Sequence, residues 1–189
     1  MVGILTLMQN EIDILRDVSE RLRTAEIDFM LTGSVAMSYY AQPRMTRDID
    51  IVVALNPADT ETISSLFGVD YYVSPEAVSD AIRRKSMFNI IHFDSVIKVD
   101  FIVFVSTPFG SSAFSRRSNI DLGDFQTTII SREDLILSKL LWAKDSRSEM
   151  QFSDVRNLLG AGCDVEYLRI WAEPLSVRSD LETLLKSHE

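Results

Sequence analysis

The chain has 189 residues, of which 46% are hydrophobic and 25% charged, and its formal net charge at neutral pH is −9. This composition is typical of a folded domain with a sizeable core, and no apolar run approaches the roughly 20 residues that a membrane helix requires. The negative charge disfavours proteins that bind nucleic acid over a broad basic face.

The first quarter of the chain alternates between helical and strand patterns. Apolar residues recur every three or four positions over about 6–26, which predicts an amphipathic helix. The apolar run at 29–31 predicts a short buried strand, and Ser34 is predicted as the N-cap of a helix over about 35–41. The β-branched run at 48–55 predicts a strand that enters the core.

The middle of the chain is richer in predicted strands. In order, we expect a helix over 56–67, a brief strand at 71–73, a helix over 75–85 and strands at 87–93, 96–105 and 125–130. Asp94-Ser95 is a tight turn, so the strands on either side of it form an antiparallel hairpin.

From Ser131 onward the pattern is helical. Ser131-Arg132-Glu133-Asp134 resembles a capping box, and further helices are expected over 149–159, 165–171 and 177–186. The predicted fold class is therefore mixed α/β (α+β), with a mixed sheet flanked by helices in a core over 1–130. A helical C-terminal lobe over 131–189 follows, and the two parts could pack as one domain.

Three aspartates on predicted core strands are the strongest functional signal. Asp48 and Asp50 stand at i and i+2 of one strand, so their carboxylates face the same side. Asp100 lies in the apolar strand Val99-Asp100-Phe101-Ile102-Val103. Carboxylates that share an apolar setting repel each other and are usually relieved by solvent, by an arginine or by cations, and such oxygen ligands suit Mg²⁺.

A glycine–serine pair precedes these acids. Gly33-Ser34 stands where a predicted strand gives way to a helix, and thirteen residues separate it from Asp48. Glycine allows a phosphate to approach the backbone, and the first N–H groups of a helix can bind its oxygens. A phosphate site beside a carboxylate cluster is what a nucleoside triphosphate with Mg²⁺ requires.

These motifs resemble the nucleotidyltransferase superfamily related to DNA polymerase beta. Its signature is Gly-[Gly/Ser], a short gap, then Asp-x-[Asp/Glu] among apolar residues, with a third carboxylate on a later strand. Arg44-Met45-Thr46-Arg47-Asp48-Ile49-Asp50 is similar to the version found in small bacterial members, including the nucleotidyltransferase toxins of abortive-infection systems. The helical segment 131–159 is also similar to those families.

The resemblance implies a set of roles. Asp48, Asp50 and Asp100 would be catalytic and would bind two Mg²⁺ ions, with Mn²⁺ as an alternative metal; Gly33, Ser34, Arg47 and Lys139 would contact the nucleotide. The implied activity is transfer of a nucleoside monophosphate from an NTP to an acceptor, which is a small molecule, a protein or an RNA end. The negative charge slightly favours the first two. A toxin–antitoxin or phage-defence role, and a homodimer or cognate protein partner, follow by analogy.

The same residues allow other interpretations. Asp48 and Asp50 could simply pair with Arg44 and Arg47, Asp100 with Lys98, and Lys139 could be an ordinary surface lysine. The chain could then be a catalytically inactive partner protein of this fold.

A glycosyltransferase, which also uses Asp-x-Asp, fits the upstream Gly-Ser turn less well. Rossmann, P-loop and common serine-hydrolase motifs are absent.

Trp142 and Trp171 are expected in the core or at an interface. The N-terminus lacks the basic flank of a signal peptide, so the cytoplasm is the expected location and no membrane partner is expected.

Overall fold

The computed structural model describes residues 9–42, 48–146 and 148–186. In chain order these form α1 (Gln9–Thr24), β1 (Phe29–Thr32), α2 (Gly33–Tyr40), β2 (Asp48–Val53), α3 (Asp59–Phe67), β3 (Tyr71–Tyr72), α4 (Pro75–Arg84), β4 (Met87–His92), β5 (Lys98–Val103), α5 (Pro108–Ser115), β6 (Ser118–Asp121), β7 (Gln126–Ile129), α6 (Arg132–Ser146), α7 (Glu149–Gly160), α8 (Val165–Ala172) and α9 (Arg178–Lys186).

Within the described residues, seven strands form one mixed sheet in the order β3-β4-β5-β2-β1-β7-β6. The pairs β2–β5 and β1–β7 are parallel, and the other neighbours are antiparallel. The predicted hairpin of β4 and β5 is confirmed. The mixed α/β fold class is confirmed as well.

The central strands present two different faces. Along β2 the side chains alternate between half-buried and buried, so Asp48 and Asp50 share one face, which we call the acid face. The opposite face is apolar and carries residues such as Ile51 and Phe101. Phe67 of α3 packs on Phe101 with ring centroids 5.6 Å apart, and Arg21 of α1 lies over Phe67 in turn. Helix α3 therefore covers the apolar face at Phe101, and α1 contacts α3 through Arg21.

The C-terminal helices pack on one another and on α2. Ser131 caps α6 by accepting a hydrogen bond from the backbone N–H of Asp134 at 3.2 Å, which is the serine half of the predicted capping box. Asp134 is fully buried and accepts hydrogen bonds from Arg116 and Tyr167 at 3.1 and 2.7 Å. This carboxylate thus joins α6 to α8 and to the segment after α5.

Three features differ from the sequence prediction. Ser34 is not the N-cap of α2: the helix begins at Gly33, Thr32 is the N-cap residue, and Ser34 lies buried in the first turn. Helix α5 was not predicted, although the Thr107 hydroxyl caps it by accepting from the Gly110 N–H at 2.9 Å. Strand β6 was also not predicted; its sequence is polar, and its pairing with β7 forms the strand.

No helix among the described residues is long and apolar enough to cross a membrane.

Candidate active site

The strand register brings the three predicted acids to one place. The parallel pairing of β2 and β5 places Asp50 beside Asp100 and Asp48 beside Lys98. Because residues two apart on a strand share a face, all four side chains stand on the acid face. Asp48 and Asp50 are half-buried, whereas Asp100 is only 6% exposed.

Lys98 lies between two of these acids. Its Nζ is 2.8 Å from Asp100 Oδ2 and 3.3 Å from Asp48 Oδ2. The hydrogen bond to Asp100 is the main cause that raises the pKa of Lys98, so its ammonium stays protonated at neutral pH. The pairing of Asp100 with Lys98, foreseen as an alternative, is therefore present.

Gly33 and Asp50 are in close contact at the start of α2. Gly33 has φ of +63°, and a Cβ placed on it would lie 1.9 Å from Asp50 Oδ2. The backbone N–H of Ser34 donates a hydrogen bond to the Asp50 carboxylate. The helix N-terminus and the Asp-x-Asp motif thus form one continuous site, in which only glycine fits at position 33.

The environment of Asp50 disfavours its negative charge. Burial raises the pKa of Asp50, and the neighbouring charge of Asp100 raises it further. The Ser34 hydrogen bond and the charge of Lys139 act in the opposite direction. Two carboxylates that crowd each other in this way are what a bound cation relieves.

Lys139 reaches this region from α6. It is 5% exposed, and its Nζ donates to Asp154 Oδ2 of α7 at 2.7 Å and to Gln151 Oε1 at 3.3 Å. The interpretation of Lys139 as an ordinary surface lysine is therefore wrong. Its role as a nucleotide contact stays a prediction.

A cavity of about 400 Å³ joins these groups. Gly33, Asp50, Lys139 and Gln151 form its polar end. The rest of the wall is mainly apolar and comes from the ends of β2 and β5, from α5 and from α6, including Val52, Ile102, Phe104, Phe109, Leu141 and Trp142. Trp142 is 60% exposed at this wall and does not lie in the core. A cavity with one charged end and one apolar end can hold a ligand that has both characters.

Another depression, of about 590 Å³, lies away from the acids and is lined in part by Arg23, Asp28 and Arg117. Its arginines already have partners: Arg117 donates to Asp28 at 2.7 Å and Arg23 to the Gln126 carbonyl at 2.8 Å. None of the predicted site residues lines this depression, whereas Gly33, Asp50 and Lys139 line the other cavity, and we therefore place the candidate site there.

The predicted site residues are found in three situations. Gly33, Ser34, Asp48, Asp50 and Asp100 lie together, and Lys139 faces them from the helical segment. Arg47, and Arg44 of the alternative pairing, lie outside the described residues.

Sequence reasoning named Lys98 only as an alternative partner of Asp100, and it missed Gln151 and Asp154 as members of the site. Lys98 precedes Asp100 by two positions on a strand, and this spacing is enough to predict a shared face. The contact of Lys139 with Asp154 depends on how α6 and α7 pack. No spacing in the sequence indicates that packing.

The chemistry of the acid face fits a divalent cation. Asp48 and Asp50 supply hard oxygen ligands of the kind that Mg²⁺ prefers, and burial together with the charge of Asp100 raises the pKa of Asp50. Across residues 9–42, 48–146 and 148–186, no three His, Cys, Asp or Glu side chains are already arranged as a metal cage. Between Asp48 and Asp100 the compensating charge is that of Lys98.

Solved structures of nucleotidyltransferases share the fold. The antigenic nucleotidyltransferase-like protein from Paracoccidioides brasiliensis is 17% identical, with a TM-score of 0.54 over 95% of this chain and 94% of that one. The lincosamide antibiotic adenylyltransferase LnuA, solved with lincomycin, is 16% identical, with a TM-score of 0.52 over 80% of this chain and 96% of its own. The antibiotic-resistance factor ANT(2'')-Ia is 9% identical, with a TM-score of 0.55 over 96% of both chains.

Comparison at the sequence level identifies the family. No curated protein sequence gives a significant match. The profile of the family described as nucleotidyl transferase AbiEii toxin, type IV toxin–antitoxin system, matches residues 16–172. This match spans the sheet, the acid face and Lys139, and it confirms the resemblance to abortive-infection toxins. The chain belongs to the AbiEii family of nucleotidyl transferase toxins.

Proposed function

We propose that this protein transfers a nucleoside monophosphate from an NTP to an acceptor hydroxyl at the acid face. The observation that carries the proposal is the β2–β5 register, which sets Asp100 beside Asp50 at the first turn of α2. Family membership supports the reaction type.

The triphosphate would lie where α2 begins. The N–H of Ser34 already bonds the Asp50 carboxylate, so the other N–H groups of the first turn would attract the phosphate oxygens through hydrogen bonds and the helix dipole. Lys139, in the wall of the same cavity, offers a cation from the opposite side. The apolar wall around Phe109 and Trp142 would receive the base.

Mg²⁺ is the proposed metal, held by the carboxylates of Asp48 and Asp50. When bound, it would neutralise charge on the triphosphate. Asp48 and Asp50 are fixed by strand pairing, so their positions do not depend on a flexible loop. Such prior positioning is what phosphoryl-type transfer mainly requires from a protein.

Asp100 is the proposed proton acceptor. The oxygen of the acceptor hydroxyl attacks the α-phosphorus while its proton passes to the Asp100 carboxylate. The bond between the α-phosphorus and the bridging oxygen breaks, and pyrophosphate leaves with the bonding electrons. Lys98 holds the Asp100 carboxylate in place for this role through its 2.8 Å contact.

The acceptor class is inferred from charge. With a net charge of −9, the protein repels long polyanions, so a protein side chain or a small molecule is favoured over RNA. The family places the activity in a toxin–antitoxin pair, and a cognate antitoxin is therefore the proposed protein partner.

Thermal unfolding with nucleotides tests the site. We expect one or more of ATP, GTP, CTP and UTP to raise the Tm of the native chain only when Mg²⁺ is present. A ligand at 100 times its Kd stabilises a protein by about 2.7 kcal/mol, which is several degrees for a chain of this size. The shift should vanish in Asp50→Asn and persist in Asp94→Asn, which neutralises an exposed acid in the β4–β5 turn.

The variant without nucleotide supplies the folding control. Because the pKa of Asp50 is raised in the folded state, ionised Asp50 costs stability that is regained as pH falls. At neutral pH the Tm of Asp50→Asn should thus equal or exceed the Tm of the native chain. Under acid conditions this difference in Tm should become smaller. If no nucleotide shifts the native Tm, the enzyme assignment fails and the inactive partner protein becomes the better description.

A further inference from the structure

Lys98 holds the position between Asp48 and Asp100 by strand register. It pairs directly with Asp48 across β2–β5 and precedes Asp100 by two residues on β5. Lys98 therefore has Asp48 as its neighbour on β2 and Asp100 as its neighbour on β5. Both acids share its face of the sheet, because backbone hydrogen bonds fix the register of the two strands.

The distances show that the ammonium fills the space between the two carboxylates. Its Nζ lies 2.8 Å from Oδ2 of Asp100 and 3.3 Å from Oδ2 of Asp48. A Mg²⁺ ion would need these oxygens at about 2.1 Å. An ion bridging the same two atoms would overlap with Nζ, so the ammonium and the ion exclude each other.

The burial of Asp100 makes it costly to move the Lys98 ammonium away. Asp100 is 6% exposed, and a buried carboxylate that loses its partner is strongly disfavoured. Lys98 itself is partly exposed, with 35% of its side chain accessible, but its stem rises from a central strand. Displacing it would leave Asp100 without the contact that compensates its charge.

We propose that Lys98 is a built-in cation that replaces one of the two metal ions at the acid face. Resting on the proposed function, this makes the site a one-metal site: Asp48 and Asp50 take the ion that accompanies the triphosphate, and Lys98 holds Asp100 in place beside the acceptor. Lys98 is then a positioning residue, because it acts through Asp100. The expectation of two Mg²⁺ ions is replaced by one ion and one ammonium.

Counting bound Mn²⁺ tests the proposal without nucleotide. Mn²⁺ alone is titrated into the native chain, Lys98→Met and Lys98→Arg, and free Mn²⁺ is followed by its electron paramagnetic resonance signal. We expect Lys98→Met to bind about one ion per chain more than the native protein, because an ammonium no longer fills the space between the Asp48 and Asp100 carboxylates. Lys98→Arg keeps the positive charge and should match the native count.

Further variants locate the additional ion. Lys98→Met/Asp100→Asn should lose it, whereas Lys144→Met, which removes the same charge from an exposed position on α6, should behave as native. Lys98→Gln provides a second neutral variant if Lys98→Met does not fold. Two ions on the native chain, or equal counts for the native chain and the neutral variants, would overturn the proposal. Since no NTP is added, the result can be interpreted even if the nucleotide test above fails.

Discussion

At Gly33 the backbone has φ of +63°, and Asp50 occupies the space that any side chain would need. The Gly33→Ala substitution would place a Cβ on a left-handed backbone and against the Asp50 side chain. A left-handed conformation costs a residue with Cβ roughly 1–2 kcal/mol, and Asp50 must also move, so we expect a loss of about 2–4 kcal/mol in the free energy of unfolding. Urea denaturation measures it.

Gly162 is the matched control for this substitution. It also has positive φ, at +84°, but nothing lies within 4 Å of where its Cβ would be. Gly162→Ala should therefore cost only about 1–2 kcal/mol. Equal losses at the two glycines would contradict the close contact between Gly33 and Asp50.

At the scale of elements, the pair of Lys139 and Asp154 joins α6 to α7. Their side chains are 6% and 3% exposed. Removing one partner of a buried pair costs about 3–5 kcal/mol, whereas replacing both with apolar residues is often nearly neutral. Asp154→Leu should thus be strongly destabilised in urea, and Lys139→Met/Asp154→Leu should recover most of the loss.

This double variant also separates structure from function. If Lys139 contacts the nucleotide, the recovered fold should still lack the Mg²⁺-dependent rise in Tm with NTP. A double variant that keeps the full rise would limit Lys139 to a structural role. The exposed pair of Arg83 and Asp80 is the control for the stability measurement. Arg83→Met should change the free energy of unfolding by less than about 1 kcal/mol.

Elements with a strong local pattern could be predicted from the sequence, and those that depend on partners could not. The alternation at Asp48 and Asp50 and the apolar setting of Asp100 indicated both strands and their acids. Helix α5 contains three serines and one glycine in eight residues, so its apolar periodicity is weak. The order β5-β2-β1 depends on pairing between segments that are far apart in the sequence, and a local sequence pattern does not predict such pairing.

At the scale of the whole molecule, the site is built from two parts. The sheet supplies the acids and the start of α2, and the helical segment supplies Lys139 and Gln151. Contacts such as Phe109 with Trp171, at 5.6 Å between ring centroids, hold the parts together. We therefore propose that the core over 1–130 and the lobe over 131–189 work as one unit, with the nucleotide between them.

The bond that is broken tests this account most directly. The native chain is incubated with Mg²⁺, a cell extract as source of acceptors, and each NTP radiolabelled on either the α- or the γ-phosphate. We predict that the α-label becomes attached to an acceptor while the γ-label is released as pyrophosphate. Asp100→Asn should lower the rate about 100- to 10,000-fold, and Asp94→Asn should leave it unchanged. Transfer of the γ-label, or no transfer from any NTP, would contradict nucleotidyl transfer at the acid face.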